Sequence, residues 1–171
     1  RGRWLKPWSS PVAETAARGL ADPNLVPVIR QDRALTDRVA DALRETLQRR
    51  PGGGAGAVSF RAAVVDAMGA LQYPAFRGRF TELIGPNEPT PVRRAAVRAL
   101  GDLRQAEAAD TILDLLRDKD PGIRADAVAA LGKTAGPGHA ERLFQFMNDE
   151  PVESIRNAAW RVLAGIFADA G

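Results

Sequence analysis

A motif of eleven residues occurs four times in this chain of 171 residues, and the repetition restricts the possible folds more than any other feature. Each copy has an arginine at its third position, followed by a segment rich in alanine and other apolar residues. The copies are Ser59–Gly69, Pro91–Gly101, Gly122–Gly132 and Ser154–Ala164, at offsets of 32, 31 and 32 residues. A fixed period of this length is typical of repeat proteins, in which stacked units bury a continuous core.

The segment after each motif repeats as well. Its apolar residues recur three and four positions apart, as they do on one face of a helix. The aligned sets are Phe80, Leu83 and Ile84, then Ile112, Leu115 and Leu116, then Leu143, Phe146 and Met147. We therefore predict a helical hairpin in each unit. The first helices begin near Ser59, Pro91, Pro121 and Pro151, and the second helices span about 74–84, 106–117 and 138–147.

Local signals support these boundaries. Thr90 and Asp120 each precede a proline, which suits an N-cap followed by the first helical residue. Gly69, Gly101 and Gly132 are predicted to end the first helices, because glycine is common just after a helix.

These residues carry a family resemblance. The unit Asp-x-Pro-x-Ile-Arg followed by Ala-Val-x-Ala-Leu-Gly, most complete over 118–132, resembles the short HEAT repeat named after phycobilisome lyases. The resemblance covers about 58–171 and implies an all-α, right-handed α-solenoid of stacked helical hairpins. It implies three full hairpins plus a final first helix, with first helices on the convex side and second helices on the concave side.

Residues 1–57 fit the repeat less well and are predicted to be an N-terminal tail with degenerate capping helices. Apolar spacing suggests helices over 12–20 and 35–47, with Pro23 and Pro27 in their connection. A glycine-rich flexible loop over 49–56 comes next. About 57 residues is small for an independent core, which favours a capping region of one solenoid.

Composition removes several classes of site. The chain has no cysteine and one histidine, so thiolate ligands, cysteine nucleophiles and paired imidazoles are excluded. HEAT enzymes resembling deoxyhypusine hydroxylase carry His-Glu pairs, and this sequence has none. His139 aligns with Phe76 and Ala108, where a packing or turn residue belongs. We predict no catalytic residue, no metal and no cofactor, and hence a protein that is not an enzyme.

The repeated arginines are predicted to be structural. They recur at one position in every unit, whereas a binding site should break the repeat. The expected partners are acidic residues of the turns between repeats. The arginines are Arg61, Arg93, Arg124 and Arg156, and the candidate partners are Glu88, Asp118, Asp120, Asp149 and Glu150.

The N-terminal segment combines Trp4 and Trp8 with basic residues. Tryptophan among basic residues is found at membrane interfaces and after membrane anchors. A tail that docks on a partner protein has the same composition, and both interpretations stay open. The compartment stays open too, between the cytoplasm and export after removal of a segment before Arg1. Alanine, arginine, glycine and proline are abundant, as in bacterial genomes of high GC content.

Three functions are compatible with these observations. We favour a protein-binding scaffold or accessory subunit of a larger complex, acting through its second helices and its C-terminal end. The alternative is nucleic-acid binding, which the pI of 9.9 supports but the net charge of only +3 does not. The third, implied only by the resemblance, is an accessory role in chromophore attachment.

Candidate partner-binding residues lie near the C-terminus. Phe144 aligns with Thr81 and Leu113 rather than with the core positions, so it should be partly exposed. An exposed aromatic residue beside Arg142 and Gln145 would suit a binding anchor. Ile166 and Phe167 should form an apolar end that a partner covers. Trp160 aligns with Val65, Val97 and Val128 and is predicted to fill the core.

Overall fold

The computed structural model describes residues 17, 19–20, 22–48 and 54–168. Throughout these ranges every regular element is helical, which confirms the all-α prediction. The chain divides into two compact units, Arg1–Ala99 and Leu100–Gly171. No helix of the described segments is long and apolar enough to cross a membrane.

Nine α-helices succeed one another along the described chain. They are α1 (Leu25–Gln31), α2 (Arg33–Gln48), α3 (Ala55–Ala70), α4 (Arg77–Leu83), α5 (Thr90–Asp102), α6 (Ala109–Asp114), α7 (Pro121–Thr134), α8 (Ala140–Asp149) and α9 (Glu153–Ala168). Short 3-10 turns at 74–76, 106–108 and 137–139 lead into α4, α6 and α8, and another at 115–117 comes after α6. The odd-numbered helices from α3 onward are the first helices of the repeats, and α4, α6 and α8 are the second helices.

The predicted hairpins match these bounds closely. The first helices begin at residues 55, 90, 121 and 153, within four residues of each expected start. At α7 the side chain of Asp120 accepts a hydrogen bond from the Gly122 N–H at 2.8 Å, as an N-cap should. Thr90 behaves differently, because α5 begins at Thr90 itself and the backbone carbonyl of Pro89 accepts the first bonds.

The prediction that glycines end the first helices is wrong. The helices run on to Ala70, Asp102 and Thr134. The chain leaves α3 and α5 through Gln72 and Arg104, whose φ angles are 51° and 53°.

Gly101 has a packing role instead. A Cβ atom at Gly101 would lie 2.7 Å from the Cβ of Ala130, closer than two such atoms approach. The glycine therefore lets the end of α5 lie directly against α7, within the second unit.

The N-terminal helices correct one further boundary. The helix expected over 35–47 is confirmed as α2, whereas the one expected over 12–20 lies largely outside the described residues. Pro27, predicted to lie in a connection, is in the first turn of α1. A proline is tolerated there because the first N–H groups of a helix have no intrahelical partner.

Each unit has its own buried apolar residues. In the first unit the rings of Phe76 and Phe80 are 5.9 Å apart, and both side chains are almost fully buried. In the second unit Ile112, Ile123 and Leu143 are fully buried, and α9 packs against both α7 and α8. The repeated apolar positions therefore form the core that their spacing predicted.

Candidate protein-binding surface

The two aligned arginines of the first unit, Arg61 and Arg93, have different hydrogen-bond acceptors although they occupy the same repeat position. Arg61 donates to Glu88 at 2.7 Å, as expected for a partner in the turn between repeats. Arg93 is buried, and its Nε donates to the backbone carbonyl of Ile84 at 2.9 Å. The Arg61 contact attaches its helix to the turn that follows the hairpin, and the Arg93 contact attaches its helix to the end of the preceding hairpin.

In the second unit the arginines meet at Glu150. Arg124 donates Nε to Oε2 of Glu150 at 2.7 Å and Nη2 to Oε1 at 2.9 Å, and its Nη1 reaches the carbonyl of Asp118 at 3.0 Å. Oε1 also accepts from the Val152 N–H at 3.0 Å. Arg156 donates to the backbone carbonyl of Glu150 at 2.9 Å rather than to an acidic side chain. We call this group of contacts the Glu150 junction.

The Glu150 junction is buried, unlike a surface ion pair. The side chains of Arg124 and Glu150 are 13% and 1% exposed. Hydrogen bonds from Arg124 lower the pKa of Glu150, and the Val152 N–H adds to the effect while burial opposes it. The hydrogen bond to Glu150 likewise raises the pKa of Arg124. Both groups are therefore held in their charged forms as parts of the framework.

His139 also has a structural contact. Its Nδ1 accepts a hydrogen bond from the Gly136 N–H at 2.9 Å, in the turn before α8. This contact agrees with the prediction that His139 is a packing or turn residue. Among the described residues no three histidine or acidic side chains are grouped so that they could hold a metal ion.

A groove of about 380 Å³ separates α6 from α8. Its apolar lining includes Leu113, Leu116 and Phe146. Its polar lining includes Arg142 and Gln145, two residues predicted to bind a partner.

These two polar side chains already have partners within the protein. Arg142 donates to Asp114 at 2.7 Å and lies 3.5 Å from Asp110. Gln145 donates to Glu141 at 2.8 Å. Arg142 therefore joins two consecutive second helices, which identifies the groove as an internal seam between repeats.

Phe144 is 47% exposed, which confirms the expectation of partial exposure. Arg142 and Gln145 line the groove between α6 and α8, whereas Phe144 does not, and partner binding by the three residues stays a prediction. Successive helical residues are about 100° apart, so Phe144 is on the side of α8 opposite to Arg142 and Phe146. The aligned residue Leu113 faces α8 and is buried, whereas no second helix of the described chain covers Phe144.

The prediction that Trp160 fills the core is wrong. It is 59% exposed although the aligned Val128 is fully buried. Val128 lies in the contact between α7 and α9, together with Val162. Trp160 has the same position one repeat later, and no described helix packs on that face of α9. Burial at this position depends on the next helix rather than on the residue's own helix.

Two neighbouring residues near the end of α9 have opposite environments. Ile166 is 7% exposed, which contradicts its predicted availability to a partner. It lies one turn after Val162, on the face that contacts α7. Phe167 is 64% exposed and lies seven residues after Trp160, on the same helical face.

Phe144, Trp160 and Phe167 therefore share one property: each occupies a side on which a further hairpin would pack. We call this surface of the second unit the aromatic end face. Trp4 and Trp8, also predicted to contact a partner, lie outside the described residues. Partner binding by any of these residues stays a prediction.

Comparison with known proteins agrees with this architecture. The family model described as HEAT repeats matches residues 79–164, half of the chain. The chain belongs to the HEAT-repeat family. No curated protein matches it significantly.

The same fold is found in a solved structure. The chain is similar to a chain in the complex of CpcE and CpcF of phycocyanin lyase from Nostoc sp. PCC7120, with a TM-score of 0.62 and 17% identity. The match covers 90% of this chain and 99% of that one. At this identity the likeness shows the fold, an α-solenoid of HEAT hairpins.

Two features of the surface were missed by reasoning from the sequence. The seam between α6 and α8 depends on Arg142 and Asp114, which are 28 residues apart. Thr111 aligns with Arg142 and lies one helical turn before Asp114. A comparison of the charged residues in successive second helices could therefore have identified the pair. The exposure of Trp160 had no such signal, because its own repeat resembles the others.

Proposed function

We propose that this HEAT-repeat protein is a non-catalytic protein-binding subunit that acts through the aromatic end face. The observation that carries the proposal is the exposure of Phe144, Trp160 and Phe167 on one end of the second unit. Aromatic side chains supply much of the binding energy at protein interfaces, and large exposed apolar patches mark interaction sites.

Two further observations support this function. The similar solved structure is a complex of CpcE and CpcF, so a protein of this fold assembles with another protein. In this chain Arg124, Glu150, Arg142 and His139 are engaged in internal contacts that attach repeats or turns. These contacts hold the helices in place, as a protein that presents a binding surface requires.

The test compares two matched substitutions. Phe144→Ser and Phe167→Ser each remove one exposed aromatic side chain, from α8 and α9 respectively, without opening the core. Each variant is used as bait in source cells with cross-linking and mass spectrometry, and its melting temperature is measured in parallel. We expect both to melt like the wild type and to lose the same cross-linked protein.

The outcomes separate the possible surfaces. Loss of the partner in only one variant would restrict the site to that helix. Normal capture by both variants would contradict the proposal. Val28→Ser is the control, because Val28 is 57% exposed and lies in α1 of the first unit.

The phycocyanin lyase relative supports a second candidate, an accessory subunit that handles phycocyanin or a similar protein. Gel filtration of the chain mixed with purified phycocyanin tests it directly. Co-elution that Phe144→Ser abolishes would favour this candidate, and separate elution of the two proteins would exclude phycocyanin as the partner.

A further inference from the structure

The only histidine of the chain closes the turn before α8 with its side chain. His139 is the last residue of the 3-10 turn Pro137–His139, and α8 begins at the next residue. Its Nδ1 accepts a hydrogen bond from the Gly136 N–H at 2.9 Å, and its own backbone N–H donates to the Gly136 carbonyl at 2.9 Å. Two reciprocal hydrogen bonds therefore hold the turn at the N-terminus of a helix of 10 residues.

We infer that these two hydrogen bonds form a pH-sensitive cap, which holds the first turn of α8 at neutral pH and releases it when the imidazole gains a proton. Histidine is the side chain that ordinarily changes charge between about pH 5 and pH 8. The switch itself needs no partner. Its effect on partner binding rests on the proposed function, because α8 carries Phe144 of the aromatic end face.

The hydrogen bond from the Gly136 N–H requires an unprotonated Nδ1. Neutral imidazole has one nitrogen that donates and one that accepts, so the proton of neutral His139 lies on Nε2. In imidazolium both nitrogens carry a hydrogen and neither can accept. Protonation would therefore leave two N–H groups facing each other at 2.9 Å, and the ring would have to turn away from Gly136.

The position of the ring at the start of a helix opposes protonation for a second reason. The unpaired N–H groups of the first turn give a helix N-terminus a partial positive charge, which disfavours a cation there. His139 directly precedes α8, so its charged form is opposed by the helix as well as by the Gly136 N–H. Both effects favour opening of the turn on acidification.

No carboxylate pairs with the imidazole in the described part of the chain. The turn joins α7 to α8, whose nearest charged side chains in the sequence are Lys133 and Glu141. Lys133 lies 2.6 Å from the Asp102 carboxylate, and Glu141 accepts a hydrogen bond from an amide side chain of α8. Arg142 donates to Asp114 of α6 at 2.7 Å. These charged groups are thus engaged elsewhere, and the protonated ring gains no counter-charge from them.

A weakened cap affects α8 because the helix is short. Isolated helices of this length are marginal in water, so the order of their ends depends on caps and on packing. The first turns of α8 contain the fully buried Leu143 and the exposed Phe144. Acidification should therefore loosen the start of the helix that presents Phe144, while the buried Leu143 keeps the helix attached to the core.

The test compares two substitutions of His139 in the full chain. In His139→Asn the side-chain Oδ1 replaces Nδ1, so the acceptor is kept but is not protonated in this range. In His139→Ala the acceptor is absent at every pH. NMR measures the protection of the Gly136 amide against solvent exchange, relative to its intrinsic rate, at about pH 7.5 and about pH 5, on either side of the ordinary histidine pKa. Glu150, whose pKa is lowered from 4.5, stays charged throughout this range.

We expect the protection of Gly136 in the wild type to fall about fivefold or more between these two pH values, the size of the contribution of a helix cap. His139→Asn should keep its protection at both values, and His139→Ala should lack it at both. The Leu131 amide, in the buried part of α7, is the internal control and should stay protected in all three proteins.

Three results would overturn the inference. One is unchanged protection of Gly136 in the wild type on acidification. Another is an equal fall in His139→Asn, which would assign the pH dependence to another group. The third is full protection in His139→Ala at pH 7.5, which would show that the imidazole is not the acceptor.

Capture of the cross-linked partner at the two pH values tests the link to function separately. Loss of capture at low pH in the wild type but not in His139→Asn would support control of binding by this cap. Equal capture by both proteins at low pH would refute that control and leave the proposed function intact, since Phe144→Ser and Phe167→Ser test the binding surface itself.

Discussion

Replacing Glu150 by alanine should destabilise the protein far more than loss of an ordinary ion pair. The substitution removes both oxygens that Arg124 binds and the acceptor of the Val152 N–H. Arg124 keeps its bond to the Asp118 carbonyl, but its guanidinium, 13% exposed at the side chain, loses its counter-charge. Leaving a buried charge without its partner costs about 3–5 kcal/mol, which corresponds to a melting temperature lower by about 6–20 °C in a chain of this size.

The assay is urea unfolding monitored by far-ultraviolet circular dichroism. Asp102→Ala is the matched control. It removes a carboxylate that lies 2.6 Å from the Lys133 Nζ, in an exposed pair whose side chains are 35% exposed at Asp102 and 41% exposed at Lys133. That exposed pair should contribute no more than about 1 kcal/mol. The double variant Arg124→Ala/Glu150→Ala should be less destabilised than the sum of its two single variants, because it leaves no unpaired charge.

A loss below about 1 kcal/mol for Glu150→Ala would refute the reasoning. It would mean that Arg124 regains solvent or finds another acceptor when the carboxylate is removed. Strictly additive single variants would refute it independently, since additivity is expected only of residues that do not interact.

Two further predictions concern packing and pH. Gly101→Ala places a methyl group 2.7 Å from the Cβ of Ala130 and should cost about 1–3 kcal/mol in urea unfolding. Gly132→Ala is its control, since the nearest atom there is a side-chain methyl at 3.3 Å that can shift. The pKa of Glu150 is lowered from its ordinary value of 4.5, so its contribution is complete above that value and is lost as the pH falls through the folded-state pKa. The stability difference between wild type and Glu150→Gln should therefore shrink on acidification from neutral pH, and a constant or growing difference would contradict the assignment.

The helical hairpins could be predicted because their signal is local and repeated. Apolar spacing at Ile112 and Leu143 identified the faces that are buried, and both side chains are buried in the structure. The end of α5 could not be predicted in the same way. Gly101 resembles a C-cap in sequence, and only the proximity of Ala130 shows that it is required by packing.

The candidate site could be predicted only in part, because exposure at an end of a repeat array depends on whether another helix packs there. Phe144 aligns with Thr81 and Leu113 rather than with the repeated apolar positions, so its partial exposure could be predicted, although Leu113 itself is buried. The exposure of Trp160 could not be predicted in this way, because the three aligned valines are all buried. Alignment within a repeat thus identifies which face a residue occupies, but not whether that face is covered.

The Glu150 junction has a consequence for hydrogen exchange. Val152 lies between two helices, where backbone amides usually exchange with solvent quickly. Its N–H is nevertheless bonded at 3.0 Å to a carboxylate whose side chain is 1% exposed. This one loop amide should exchange slowly, and its rate should report how often α9 separates from the preceding hairpin while the rest of the second unit stays folded.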